Sequence, residues 1–245
     1  MSAQPAARLL KQIGCVLGLA VVLLGVPRLG GLVADQFDYS QVDPDGAFAW
    51  ISVHHVVQAL IFLLLMIPVA RLGKLDFGFG WGDRKTGFWF VRLFALIFVG
   101  YTAVSMVIVL ATGTFQTFPY PMTTRNIAGH LAFQLLLSGP SEELIFRGFA
   151  ITMLAFAVQG TVARGKVSAA NIVAAVIFGL AHVGISFSPI ALSYDPFQVV
   201  YATVLGIFYG VCYERSKSVY YPMMVHSISN VFAVGVSIIA TAIIG

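Results

Sequence analysis

The stretch IAGHLAFQLLLSGPSEELIFRGFAITMLAFAV, residues 127–158, decides how the chain is read. It is apolar for longer than one crossing needs, since roughly 20 helical residues span a ~30 Å hydrocarbon core. Ser138-Gly139-Pro140 interrupts its middle. Proline lacks a backbone N–H and crowds the carbonyl one turn back, so the stretch is either a kinked helix or two helical pieces. Ser141, Glu142 and Glu143 follow the interruption, with Arg147 one turn on. A charge at the bilayer centre costs roughly 2.5–3.5 kcal/mol on insertion scales, so these residues are functional candidates by position. Glu143 and Arg147 share a helix face at i,i+4 and can neutralise each other. Glu142 points about 100° away and has no local partner. That asymmetry suggests a structural ion pair, Glu143 with Arg147, and a carboxylate, Glu142, free for chemistry. From this segment alone, a purely structural role for all three is equally open.

Further apolar segments fall at about 9–33, 48–70, 88–112, 168–190, 197–213 and 219–244. Of the 245 residues, 59% are hydrophobic and 10% charged, against about 25% charged in soluble domains. Such a chain cannot clothe a globular surface in water. The expected architecture is all-α: a polytopic transmembrane helix bundle of about seven spans with short loops. It forms a single membrane domain over 1–245, with N-terminal spans to about 125 and a core at about 126–241. The first segment has signal-peptide features, with Arg8 and Lys11, an apolar core and small residues near Ala34. Six further spans make an uncleaved first span the better reading. Cys15 and Cys212 lie in apolar runs without metal or pairing motifs.

The net charge of +4 and pI near 9.2 do not imply a nucleic-acid partner, because the basic residues stand beside the spans. With the N-terminus cytoplasmic, the inner side collects Arg8, Lys11, Arg71, Lys74, Arg84, Lys85, Arg92, Arg164, Lys166, Arg215 and Lys217. The outer side collects Arg28 and Arg125, while Arg147 stays within a helix. That bias predicts seven spans, N-terminus in and C-terminus out. Asp35, Asp38, Asp43, Asp45 and Asp195 then fall outside. The glycine-rich, aromatic and basic loop 71–87 suits the cytoplasmic interface, and no P-loop Lys-Ser/Thr follows its glycines.

Two more polar points stand in apolar segments. In Phe178-Gly179-Leu180-Ala181-His182, Phe178 and His182 share a face, and Gly179 permits close helix approach. In His226-Ser227-Ile228-Ser229-Asn230, His226 and Asn230 project together. Singly, each reads as interhelical glue. Together, one unpaired carboxylate, two histidines and an amide are the parts that hydrolyse an amide with water. A carboxylate and a histidine deprotonate the water; a second histidine and an Asn amide donate to the developing oxyanion. Ser141 and Cys212 are the nearest competing nucleophiles and read better as packing. His54, His55 and His130 read as packing or interface residues.

Glu-Glu-x-x-x-Arg (Glu142, Glu143, Arg147), Phe-x-x-x-His (Phe178, His182) and His-x-x-x-Asn (His226, Asn230), in that order, resemble the CPBP family of intramembrane proteases. That family includes the CAAX endoproteases that trim prenylated proteins and the bacterial Abi or bacteriocin-immunity homologues. The resemblance covers roughly residues 126–241. It implies a conical catalytic cavity among the C-terminal helices, opening to the cytoplasm. It also implies Glu142 as general base, His182 holding and activating the water, and His226 with Asn230 stabilising the oxyanion. Glu143 and Arg147 would orient the site, with Phe178 supporting it and Glu143 able to share the catalytic role. No cofactor is expected; zinc on a Glu/His/His set is the weaker alternative, since no His-Glu-x-x-His helix is present and Asn is a poor zinc ligand.

The expected partners are the lipid bilayer and a peptide or membrane-protein substrate, in a bacterial plasma membrane. A non-catalytic scaffold or immunity protein and a proton-coupled transporter are the competing readings. Absence of an inverted-repeat signal weakens the transporter. A restart of the helix at Pro140 would place Glu142 near a positive helix terminus. One tension concerns depth. His182 lies ~21 Å beyond Ser168, and His226 only ~10 Å beyond Val219, at ~1.5 Å per residue. That tension predicts that the fifth helix begins in the cytoplasm and enters the membrane later.

Overall fold

The computed structural model describes residues 3–187 and 189–244 and is mostly helical. Five helices among the described residues are long and apolar enough to cross a membrane. They are α1 (Ala3–Ala34), α2 (Ala49–Gly73), α3 (Arg84–Ala111), α6 (Pro196–Ser216) and α7 (Tyr220–Ile244). Between α3 and α6 lie a composite helix, α4, over residues 124–157, and the short α5 (Ala169–Leu180).

Local chemistry sets the helix starts. Asp83 accepts from Thr86 N at 3.1 Å ahead of α3, Ser168 from Asn171 N at 2.9 Å ahead of α5, and Asp195 from Phe197 N at 2.8 Å ahead of α6. Each satisfies a backbone donor that the first helical turn leaves free. Helix α2 has no such neighbour. Its first N–H groups are met from upstream by Asp43, which accepts from Ala47, Phe48 and Ala49 at 2.7–2.8 Å.

Helix α4 runs through its interruption without restarting. The turns Gln134–Ser138 and Leu144–Ile151 are π-helical, and Gly139–Glu143 between them is α-helical. The wide π turn absorbs the missing N–H and bulky ring of Pro140. No free helix terminus therefore lies at Glu142, and the expected helix-dipole contribution there falls away.

The all-α expectation needs a second correction. Strands β1 (Thr161–Val162) and β2 (Val167–Ser168) form one small antiparallel hairpin, and β3 (Gly184–Phe187) and β4 (Ile190–Ser193) another. The expected apolar segment 168–190 ends as helix at Leu180. Its remainder becomes β3, which begins at Gly184 and pairs antiparallel with β4, Gly184 standing opposite Ser193. The alternation of Ile185, Ser186 and Phe187 suits a strand. Helix α5 begins at Ala169, directly after β2.

The connections gather into two ends. At one, Trp50 Nε1 donates to Asp35 at 2.7 Å, Asn126 Nδ2 to Asp45 at 2.9 Å, and Phe118 N to Thr241 Oγ1 at 2.8 Å. At the other, Asp83 N donates to Ser216 O at 2.7 Å, Tyr221 OH to Trp81 O at 3.0 Å, and Ser168 to Glu214. The first end holds Asp35, Asp38, Asp43, Asp45 and Asp195, and the second holds the lysine-bearing loops together with Asp76 and Asp83. The core between them centres on α4: Leu144 to Ile151 are all buried, packed on Phe62, Met66 and Ala174.

Candidate active site

Helix α4 meets α7 at Gly139, where a Cβ would lie 2.8 Å from Ser227 Oγ and 2.9 Å from Ser227 N. That close approach sets Glu142 and Glu143 against His226. Glu143 is fully buried, with Oε2 3.1 Å from Arg147 Nε and Oε1 2.8 Å from His226 Nδ1. The carboxylate thus serves two partners: the arginine on its own helix, which the i,i+4 spacing predicts, and a histidine 83 residues away, which it does not.

Arg147 is 1% exposed, and its guanidinium lies 4.5 Å from the Phe178 ring centroid and 5.3 Å from that of Tyr209. Its two terminal nitrogens have no hydrogen-bond partner among the described residues, and the aromatic faces supply the compensating attraction. Gly206 leaves the space for them, since a Cβ there would lie 3.2 Å from Arg147 Nη2.

Glu142 turns the other way. Its side chain is 20% exposed, with Oε2 3.8 Å from His226 Nε2. It lines a polar cavity of about 230 Å³ together with His182, His226, Asn230 and Ser138. The structure therefore brings Glu142, His182, His226 and Asn230 to one space and keeps Glu143 and Arg147 behind its wall. His182 follows the last turn of α5, and its Nδ1 lies 2.9 Å from Phe178 O. Nδ1 is the donor there, so Nε2 is the free acceptor in the neutral ring. Asn230 spends one amide hydrogen on Ser138 Oγ at 3.1 Å and keeps the second.

Phe178 links the two histidines. Its ring stands edge-on to His182 at 5.0 Å and to His226 at 6.1 Å. Both histidines therefore border one cavity, with a single aromatic side chain between them.

Several participants escaped the sequence. Tyr209 stacks on His226 at 4.9 Å and reaches Ser229 Oγ at 3.0 Å, fixing the imidazole plane. His55 is buried rather than interfacial, with Nδ1 2.6 Å from Ser141 Oγ. Gln58 donates to the same oxygen at 3.3 Å, and Ser141 Oγ donates to Ser138 O at 3.2 Å. This network from α2 occupies the Ser138 carbonyl at the π turn, directly behind Glu142. Its signal was available: a His–Gln pair at i,i+3 inside an apolar span. His54 stacks on Trp50 at 5.3 Å, and His130 Nδ1 lies 2.8 Å from Ala47 O.

Among the described residues no three His, Cys, Asp or Glu side chains lie close enough together to hold one ion.

Residues 124–232 match the family described as type II CAAX prenyl endopeptidase Rce1-like. Comparisons with curated proteins and with solved structures return no match. The matched region begins at the first turn of α4 and ends just after Asn230, so it contains all four cavity residues.

Proposed function

We propose that this multi-pass membrane protein, whose residues 124–232 match the family described as type II CAAX prenyl endopeptidase Rce1-like, is an intramembrane endopeptidase using Glu142-activated water. The observation that carries the reading is the shared cavity of Glu142, His182, His226 and Asn230, assembled from α4, α7 and the end of α5.

In this reading a water donates one hydrogen bond to Glu142 and the other to His182 Nε2. Glu142 takes a proton as the water oxygen bonds to the scissile carbonyl carbon. The carbonyl oxygen becomes an oxyanion and accepts from the second Asn230 amide hydrogen. It also accepts from His226 Nε2–H when that ring holds both protons, with Nδ1–H committed to Glu143. The C–N bond then breaks, and Glu142 returns its proton to the leaving amine. One product keeps the new carboxyl, the other the amine, and the carboxylate is regenerated. Glu143 and Arg147 act as positioning residues: their buried pair fixes His226 from behind. His226 stands between Glu142 and Glu143, and Arg147 lies beyond Glu143 on the side away from the cavity.

The five long helices are joined in the membrane by α4 and α5, giving seven spans in one membrane domain. The lysine-bearing end faces the cytoplasm of a bacterial plasma membrane, with the N-terminus inside and the C-terminus outside. The test is Glu142→Gln in cells, comparing the termini of membrane proteins with wild type. Loss of specific cleavage products with the protein still folded is the expected result. An unchanged set of termini, with the phenotype retained, sinks the endopeptidase reading in favour of a scaffold.

A further inference from the structure

The exposure of its lining shows where the cavity that holds Glu142 opens. Along α6 the lining runs from the exposed Gln198, near the helix start, through Leu205 to the buried Tyr209. Along α4 it runs from the half-buried Gln134 to the buried Ser138. Glu143, Arg147 and Tyr209, each at most 1% exposed, close the floor. The rim therefore lies toward the start of α4, the start of α6 and the end of α5. These belong to the end of the bundle that holds Asp35, Asp38, Asp43, Asp45 and Asp195. Lys74, Lys85, Lys166 and Lys217 all lie at the opposite end.

The β3–β4 hairpin belongs to this rim, because the cavity residues His182 and Gln198 flank it in the chain. Its Ile185, Ile190 and Leu192 are apolar and outward, Ile190 84% exposed and Leu192 62%. Beside helices that end in lipid, such side chains seat the hairpin in the headgroup region of the same leaflet. Each strand pairs only with the other among the described residues, so both outer edges offer backbone groups to an extended chain.

We infer that the cavity is entered from the extracytoplasmic face, and that its substrate is an extended segment on that side of a membrane-anchored or exported polypeptide. This rests on the endopeptidase reading of Glu142. The resemblance to proteases that trim prenylated tails implies a cytoplasmic opening; the positions of rim and lysines reverse it. A cavity of about 230 Å³ is smaller than the roughly 300–1,000 Å³ of typical ligand sites. It holds the scissile bond and an adjacent side chain, leaving the rest of the substrate along the rim and hairpin.

The test separates the access side from catalysis. In a Cys15→Ser background that retains the buried Cys212, Gln198→Cys and Lys166→Cys are each treated with a membrane-impermeant thiol reagent. Gln198→Cys is expected to label as fully in intact cells as after permeabilisation, and Lys166→Cys only after permeabilisation. The reverse pattern, or a Gln198→Cys that stays unlabelled under both conditions, overturns the inference. The second arm compares protein termini in wild-type and Glu142→Gln cells. Differences on extracytoplasmic segments are expected. Differences confined to cytoplasmic segments overturn the inference while the endopeptidase reading stands. No difference at all sinks that reading and leaves the labelling result in place.

Discussion

Helices α3 and α4 are both long, and they solve opposite problems. In α3, Arg84–Ala111, the most apolar window is only 17% buried, and Leu96, Val104 and Val107 each expose 60% or more. Its regular α-helical backbone satisfies itself, as lipid requires. In α4 every residue from Glu143 to Ile151 is buried by protein, two stretches are π-helical, and a charge pair is enclosed. Irregular backbone and charge are tolerated where neighbouring helices rather than lipid supply the partners. The helix that hydropathy marks most clearly is the one with least chemistry, and the one absent from the five clear spans carries Glu142.

Substitutions in the two helices should therefore differ in kind. The largest effect is expected from Glu142→Gln, which removes the base. Cleavage of a reporter by purified enzyme should fall about 10²–10⁴-fold, with the thermal unfolding midpoint in detergent unchanged. A retained rate would mean that α4 is buried for stability alone. Glu143→Gln comes next. Breaking one side of a buried ion pair costs about 3–5 kcal/mol, so this variant should unfold at markedly lower temperature and lose activity as well. A midpoint equal to that of Glu142→Gln would show that the two carboxylates are not divided as described.

Gly139→Ala and Gly100→Ala form a matched pair of smaller effect. At Gly139 the added methyl meets the backbone and side chain of Ser227, and overpacking of this kind costs about 1–3 kcal/mol. At Gly100 in α3 nothing lies within 4 Å, so the same change should be neutral or stabilise by about 0.5–1 kcal/mol through helix propensity. Opposite signs in paired unfolding experiments are the expected outcome; equal destabilisation would contradict the lipid-facing reading of α3.

The smallest effect concerns Asp43 in the loop before α2. Burial pushes its carboxyl pKa up, but the Ala49, Phe48 and Ala47 N–H groups, with Arg125, together outweigh that and hold it below the ordinary value. A depressed folded pKa contributes stability that is present above the unfolded value of 3.8. That contribution is lost as pH falls through the folded pKa. Wild type should thus exceed Asp43→Asn in stability at neutral pH, with the gap closing in acid. A gap that persists under acid conditions would assign the effect to packing rather than to charge.

How much could be read in advance follows the same division. The i,i+4 spacing placed Glu143 with Arg147 and separated Glu142 from both, because one helix turn fixes those directions. The interruption at Pro140 was legible, but its resolution into one continuous helix with π turns on either side was not, since the Ser138 carbonyl finds its partner through Ser141, which His55 and Gln58 on α2 hold in place. The β3–β4 hairpin was hidden within an apolar run because strand and helix share the same hydrophobic residues over short lengths. Tyr209 gave no signal, as an aromatic in an apolar span is ordinary.

By itself the sequence determined that this is a multi-pass membrane protein, because 10% charged residues cannot face water over a whole surface. It also determined which polar side chains were out of place, because each must be compensated wherever the chain puts it. Only the tertiary structure decided which became cavity and which became wall. That choice turns on helix approach at Gly139 and Gly206 and on the second partner of each buried group, and those contacts join residues more than 30 positions apart.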